Sequence, residues 1–264
     1  MLAWRMVRAV LADLHVGQSR GDLERFLATT ATLRDRRPDE IVFLGDVFRA
    51  LVGFSRYWDD TVRTGLAELA ALRRGGARVI MVEGNRDFYL DARDLDGYRD
   101  AGVRAHSFAA GGRRFLLEHG DLINRHDRAY RTWRAVSKSA PARLLARLLP
   151  RRLARRIVLG TEARLAKTNF SYRIELPVED LTAAARRHFA AGVDVVMWGH
   201  FHRAWRLAEG GREALIVPAW AETGAVLWLG DDGRQLLEPA HATNVVDSTD
   251  PSWYHTHRSP LEAS

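Results

Sequence analysis

Five times along this chain, a run of strand-type residues stops at a side chain able to bind a metal ion. The stretches are Val10-Leu11-Ala12-Asp13-Leu14-His15, Ile41-Val42-Phe43-Leu44-Gly45-Asp46, Arg78 to Val82 followed by Gly84-Asn85, Arg113 to Glu118 followed by His119, and Val193 to Trp198 followed by Gly199-His200-Phe201-His202. Short apolar runs bounded by turn residues read as buried strands. Their repetition implies a sheet whose strands release polar side chains at one edge.

Each stop is weak alone. Asp13 and His15, two apart on an extended segment, would project to one side. Gly45-Asp46 is ordinarily a turn, and Gly84-Asn85-Arg86-Asp87-Phe88 reads equally well as a helix N-cap followed by a surface arginine. A histidine at a strand end, like His119 before Gly120-Asp121, is often structural. His200-Phe201-His202 directly after an apolar strand is the most specific of the five. Together they deliver Asp13, His15, Asp46, Asn85, His119, His200 and His202. Oxygen and nitrogen donors without sulfur suit Mn, Fe or Zn, and seven are more than one ion requires. Two ions sharing a carboxylate, ~3.5–4 Å apart, would clamp a phosphoryl group, and Arg86 beside them offers a planar fork suited to phosphate.

Between the strands, Leu23, Phe26, Leu27, Thr30 and Leu33 recur at helical spacing, and a second helix covers about Trp58 to Arg74. Val103 to Ala110 and Arg113 to Glu118 flank Gly111-Gly112 as a hairpin. From 122 to 181 strands give way to arginine-rich helical pattern broken by Pro141 and Pro150, an insertion between core segments 1–121 and 182–240. There Leu144, Leu145, Leu148 and Leu149 alternate with Arg143 and Arg147. Its plain reading is a solvated helix packed by its leucine face, and the other is a helix lying on a membrane surface. A helix from about Val178 to Ala191 returns the chain to the core. Strands follow at about Ala204 to Ala208, Glu213 to Val217 and Thr223 to Leu229, with a short one through Leu236. Residues 241–264 are polar and without period, as expected of a loose tail.

The chain has no cysteine, which excludes disulfides and thiolate ligands. Arg5, Arg8 and Asp13 interrupt the apolar N-terminus before a signal-peptide core could form. No uncharged run reaches membrane-span length, so a cytoplasmic, soluble protein is expected. Net charge is +7 from 40 basic and 33 acidic residues, and only Lys138 and Lys167 are lysines. An arginine bias can simply follow genome composition, so the overall basicity is only weak evidence for a nucleic-acid partner.

The ordered motifs Asp-x-His, Gly-Asp, Gly-Asn-x-Asp, His-Gly-Asp and Gly-His-x-His resemble the calcineurin-like metallophosphoesterases over about residues 6 to 240. The resemblance implies an α/β (α+β) fold, a two-layer β-sandwich flanked by helices, here with a helical cap insertion. It also implies that Asp46 bridges two ions, one held by Asp13, His15 and His202 and the other by Asn85, His119 and His200. Arg86 stands where most of the family has histidine. With the insertion, the start of it at Asp127 and Tyr130, and the Trp220 to Gly224 segment, this is similar to the branch acting on UDP-2,3-diacylglucosamine. That branch cleaves the pyrophosphate to UMP and the acylated sugar 1-phosphate, normally with manganese. Asn85, Arg86 and His119 are then the expected catalytic group, and Asn85, Arg86, Asp127, Tyr130, Lys167 and His200 the substrate contacts. An anionic inner-membrane surface is the expected partner of the basic insertion. The segment Val47-Phe48-Arg49-Ala50-Leu51, lacking the branch's acidic residue and tryptophan, and Ala204 in place of proline depart from its pattern. The alternatives are another phosphoesterase, such as a nuclease or nucleotidase, and a membrane-surface protein with a relic site.

Overall fold

The computed structural model describes residues 4–150, 152, 153, 156 and 176–240. Lys167, the later part of the insertion and the 241–264 tail lie outside the described residues. The elements in chain order are β1 (Val7–Leu11), α1 (Asp22–Arg36), β2 (Glu40–Leu44), β3 (Leu51–Val52), α2 (Asp60–Arg74), β4 (Arg78–Val82), β5 (Asp87–Phe88), β6 (Ala101–Val103), β7 (Ala105–Ala110) and β8 (Arg113–Glu118). After them come α3 (Arg128–Ser137), α4 (Ala140–Leu148), α5 (Val178–Ala190), β9 (Val195–Trp198), β10 (Arg206–Glu209), β11 (Arg212–Ile216), α6 (Trp220–Thr223), β12 (Ala225–Gly230) and β13 (Gln235–Pro239).

Two sheets stack face to face. One has the order β13-β12-β1-β2-β4-β6 and the other β10-β11-β9-β8-β7. The period-2 alternation of side chains sets what each face buries. Val10, Val42, Leu44, Ile80 and Val82 from the first sheet meet Phe115, Leu117, Val195 and Met197 from the second. The opposite face of the first sheet, Leu11, Ile41, Phe43, Val79 and Met81, packs on Phe26 and Leu33 of α1 and Leu66 and Leu69 of α2. On the outer face of the second sheet, Val196, Trp198, Ala214 and Ile216 meet Leu181, Ala184, Ala185 and Phe189 of α5. The result is the expected sandwich with helices outside.

β1, β2, β4 and β6 run parallel, as do β8, β9 and β11. Their carboxyl ends therefore open at one edge, where loops of a parallel sheet gather ligands. No helix among the described residues is long and apolar enough to cross a membrane.

Three details differ from the sequence reading. The run from Val103 to Ala110 is two strands, β6 in one sheet and β7 in the other, because the chain steps between sheets at Arg104. The segment before β12 forms the short helix α6 rather than starting the strand at Thr223. Most tellingly, the leucines of α4 are not packed: Leu144, Leu145 and Leu148 are 59%, 57% and 71% exposed. α4 rests instead through Ala146 on the cluster containing Val52, Phe54 and Tyr89, and the backbone oxygen of Ala146 accepts from the Tyr57 hydroxyl.

Candidate metal centre

Asp13 follows β1, Asp46 follows β2, Asn85 follows β4, His119 follows β8, and His200 and His202 follow β9. The turns that carry them are backbone-strained. Asp13, His15, Asp46, His200 and His202 have φ of 53, 51, 54, 71 and 54°, a region L-residues avoid. Such positions cost ~1–3 kcal/mol each and persist only when their surroundings over-determine them. Here they do: His15 N donates to Asp46 O (2.9 Å), Asp13 N to Gly45 O (3.2 Å), His200 N to Asp13 Oδ2 (2.7 Å) and Asp46 N to Asp87 Oδ2 (2.8 Å). The extended geometry expected for Asp13 and His15 is thus not the one adopted. Left-handed turns, rather than strand alternation, bring both side chains into the cluster.

One group of donor atoms comprises Asp13, His15 and His202, and an adjoining one Asp13, Asp46 and His119. The Nε2 atoms of His15 and His202 face each other at 3.2 Å, and His202 Nε2 is 3.6 Å from Asp13 Oδ1. On the other side His119 Nε2 lies 3.7 Å from Asp46 Oδ1. Asn85 Oδ1 sits 3.1 Å from His119 Nε2 and 3.0 Å from His200 Nδ1. Donors sharing one ion at about 2.1 Å lie roughly 3–4 Å apart. Asp13 Oδ1 and His15 Nδ1 are buried without a hydrogen-bond partner, and buried polar atoms are rarely left so. Donor types, spacing and these orphaned atoms all fit divalent cations.

The rings are oriented from behind. His119 Nδ1 points at Leu44 O at 3.0 Å and His202 Nδ1 at Glu222 Oε1 at 2.8 Å, which leaves both Nε2 atoms facing the cluster. Burial pushes His200 down to about 4, helped by the charge of His119, so that it stands neutral and able to ligate. Burial and then Arg86 hold His15 well below the usual imidazole range. For His202 burial also opposes charge, but Asp13 and Glu222 outweigh it and raise it to about 9. Burial opposes ionisation of Asp13, yet the facing imidazoles hold it well below the carboxylate range.

A cleft above the cluster is bordered by Arg86, Asn124, Asp127, Tyr130, Pro177 and Phe201. Arg86 Nη1 donates to Gln18 Oε1 at 2.5 Å, and its Nε is 3.6 Å from Asp46 Oδ2. Asp127 and Tyr130 line the cleft with prior commitments. The Asp127 carboxylate caps α3 by accepting from Tyr130 N at 2.8 Å, and the Tyr130 hydroxyl donates to Asp121. Asp87, Asp121, Gln18 and Glu222 were not singled out from sequence. Asp87 and Asp121 stand inside the quoted motifs, but what they hold becomes visible only when the loops meet.

Residues 6–204 match the calcineurin-like phosphoesterase family model. The chain belongs to that family. Among its relatives is the UDP-2,3-diacylglucosamine hydrolase of Stenotrophomonas maltophilia strain K279a, 31% identical over 258 residues that span 88% of this chain and 98% of that one. The protein of the same name from Ralstonia nicotianae is 30% identical over 251 residues, 88% of this chain and 92% of its own. Among solved structures, a dimetal phosphatase from Danio rerio covers 89% of this chain and 96% of its own at 17% identity, with a TM-score of 0.46.

Proposed function

We propose that this protein hydrolyses the pyrophosphate bond of UDP-2,3-diacylglucosamine, giving UMP and 2,3-diacylglucosamine 1-phosphate. The observation that carries the reading is the similarity to the Stenotrophomonas hydrolase over 88% of this chain and 98% of that one. Manganese is the ion of choice, with iron and zinc as alternatives for the same donors.

One ion is assigned to Asp13, His15 and His202 and the other to Asn85, His119 and His200, with Asp46 between them. Bound there, divalent ions polarise a phosphoryl oxygen and acidify coordinated water. The chain's own part is positional. Arg86 presents a guanidinium, 19% exposed at the side chain, beside Asp46 at the mouth of the cluster. Its fork can meet two oxygens of a pyrophosphate and offset charge that grows in the transition state. His119, held by Leu44 O, keeps its Nε2 on the reacting side. Asn85 and His200 share the cleft wall, and Asp127, Tyr130 and Lys167 complete the assigned substrate contacts.

Residues 122–181 are assigned as a cap over this cleft. The exposed leucines of α4 support a place at the inner-membrane surface. Incubation with manganese and UDP-2,3-diacylglucosamine, beside nucleotides, unacylated UDP-sugars and DNA, tests the assignment by mass spectrometry of the products. UMP and the acylated sugar 1-phosphate should form fastest, and a chelator should stop them. Faster turnover of DNA or free nucleotides would overturn it.

A further inference from the structure

α3 leaves the core a few residues after His119, and the face it turns inward is charged. Tyr130, Arg134 and Lys138 recur every four residues and so share that face. Tyr130 and Arg134 both meet Asp121, Arg134 Nε at 2.6 Å. Glu83 Oε1 receives Arg134 Nη2 at 3.3 Å and Lys138 Nζ at 2.9 Å. Lys138 Nζ also donates to the carbonyl oxygen of Gly84 at 2.7 Å, and its side chain is only 7% exposed. From the other side, Gly84 N donates to Asp87 Oδ2 at 2.9 Å. The residue before Asn85 is therefore gripped by its carbonyl from α3 and by its amide from the core. It lies so close to Asp46 that a Cβ would come within 2.3 Å of Oδ1.

These contacts do more than fasten a helix. By contrast, Arg143 and Asp91 fasten α4 at 2.6 Å through a pair that is 28% and 61% exposed. Lys138 is buried, and a buried ammonium must spend its donors on partners. One goes to the Glu83 carboxylate and one to the Gly84 carbonyl, the oxygen of the peptide that leads into Asn85. The residue type fits as well: one of only two lysines among 40 basic residues stands here, and a compact ammonium suits convergence on one carbonyl and one carboxylate oxygen better than a planar fork.

We infer that Lys138 is a positioning residue for the ion-binding side made by Asn85, His119 and His200. It holds the 84–85 peptide by its carbonyl so that Asn85 Oδ1 keeps its place between His119 Nε2 and His200 Nδ1, and so ties the helical insertion to one of the two ion sites. By linkage, whatever shifts α3 changes affinity for that ion, and the ion in turn steadies α3. The inference rests on the dinuclear reading proposed above.

Manganese binding to the full chain, titrated by paramagnetic resonance without substrate, tests it in the wild type and in Lys138→Met, Glu83→Gln and Arg143→Met. Lys138→Met should weaken one of two equivalents by roughly 10- to 100-fold and leave the other unchanged, as loss of a group that orients a ligand does. Glu83→Gln should shift the same equivalent in the same direction, so the result does not hang on one variant folding. Arg143→Met, which cuts a helix-to-core tie without touching Gly84, should change neither. A lower Tm with both affinities intact in Lys138→Met and Glu83→Gln would make Lys138 a fastener only and overturn the inference. A wild type that takes up a single ion would overturn the dinuclear reading along with it, so the two failures are distinguishable.

Discussion

At Gly84, Gly45 and Gly199 a single methyl group would collide with a neighbouring motif's side chain. A Cβ on Gly84 would sit 2.3 Å from Asp46 Oδ1, on Gly45 2.2 Å from His119 Nδ1, and on Gly199 2.6 Å from Asp13 Oδ2. The glycines of Gly-Asp, Gly-Asn and Gly-His therefore make room for one another's ligands, a reason for their presence that no single motif reveals. Gly84→Ala should displace Asp46 and weaken manganese binding by at least about tenfold, the lower end for disturbed ligand orientation. Calorimetric titration of the variant checks this, and unaltered affinity would mean that the turn can yield. Arg86→Lys keeps the charge and loses the fork, so turnover should fall by roughly 10²-fold or more while metal content holds. Steady-state kinetics beside metal analysis decides it. The donors themselves were legible in sequence because each interrupts an apolar run. Their left-handed backbones and the brace from Asp87 were not, since both depend on loops distant in the chain.

Among the elements, the end of the sandwich opposite the site is clasped by Glu40, the first residue of β2. Its carboxylate accepts from Arg8 Nε of β1 at 3.1 Å and Arg78 Nη1 of β4 at 3.0 Å, and reaches His106 of β7 in the other sheet at 2.9 Å. Burial opposes ionisation of Glu40, but His106, Arg8 and Arg78 outweigh it and hold it below its usual 4.5. A carboxylate depressed on folding stabilises above its unfolded value and loses that contribution as pH falls through its folded value. Glu40→Gln should cost about 2 kcal/mol at neutral pH, and the Tm gap to wild type should close below pH 4.5. A gap that persists into acid would mean packing rather than charge. At α4, sequence periodicity identified the leucine stripe and left its surroundings open between a packed face and a membrane surface, because amphipathicity tells which residues share a face and not what covers it. Changing Leu144, Leu145 and Leu148 to Ser should leave the Tm nearly unchanged, since these side chains are exposed. It should also reduce sedimentation with anionic liposomes, and undiminished binding would remove α4 from the membrane contact.

For the molecule as a whole, stacking two sheets with parallel strands is what turns five scattered sequence stops into one cluster. Strands β1, β2 and β4 of the first sheet and β8 and β9 of the second end on the same side, so ligands from residues 13 to 202 meet within hydrogen-bonding distances. The layers were readable from buried strand runs and the helices between them. The way α3 reaches back to Glu83 and Gly84 was not, because a charged helix face looks solvated until carboxylates are found opposite it. Two ions acting together on a pyrophosphate is the central claim, and the most direct test is the rate of UMP release from UDP-2,3-diacylglucosamine as manganese is added to metal-free protein. The rate should stay near zero through the first equivalent, rise with the second and vanish with chelator. Full activity at one equivalent, or activity surviving the chelator, would contradict it.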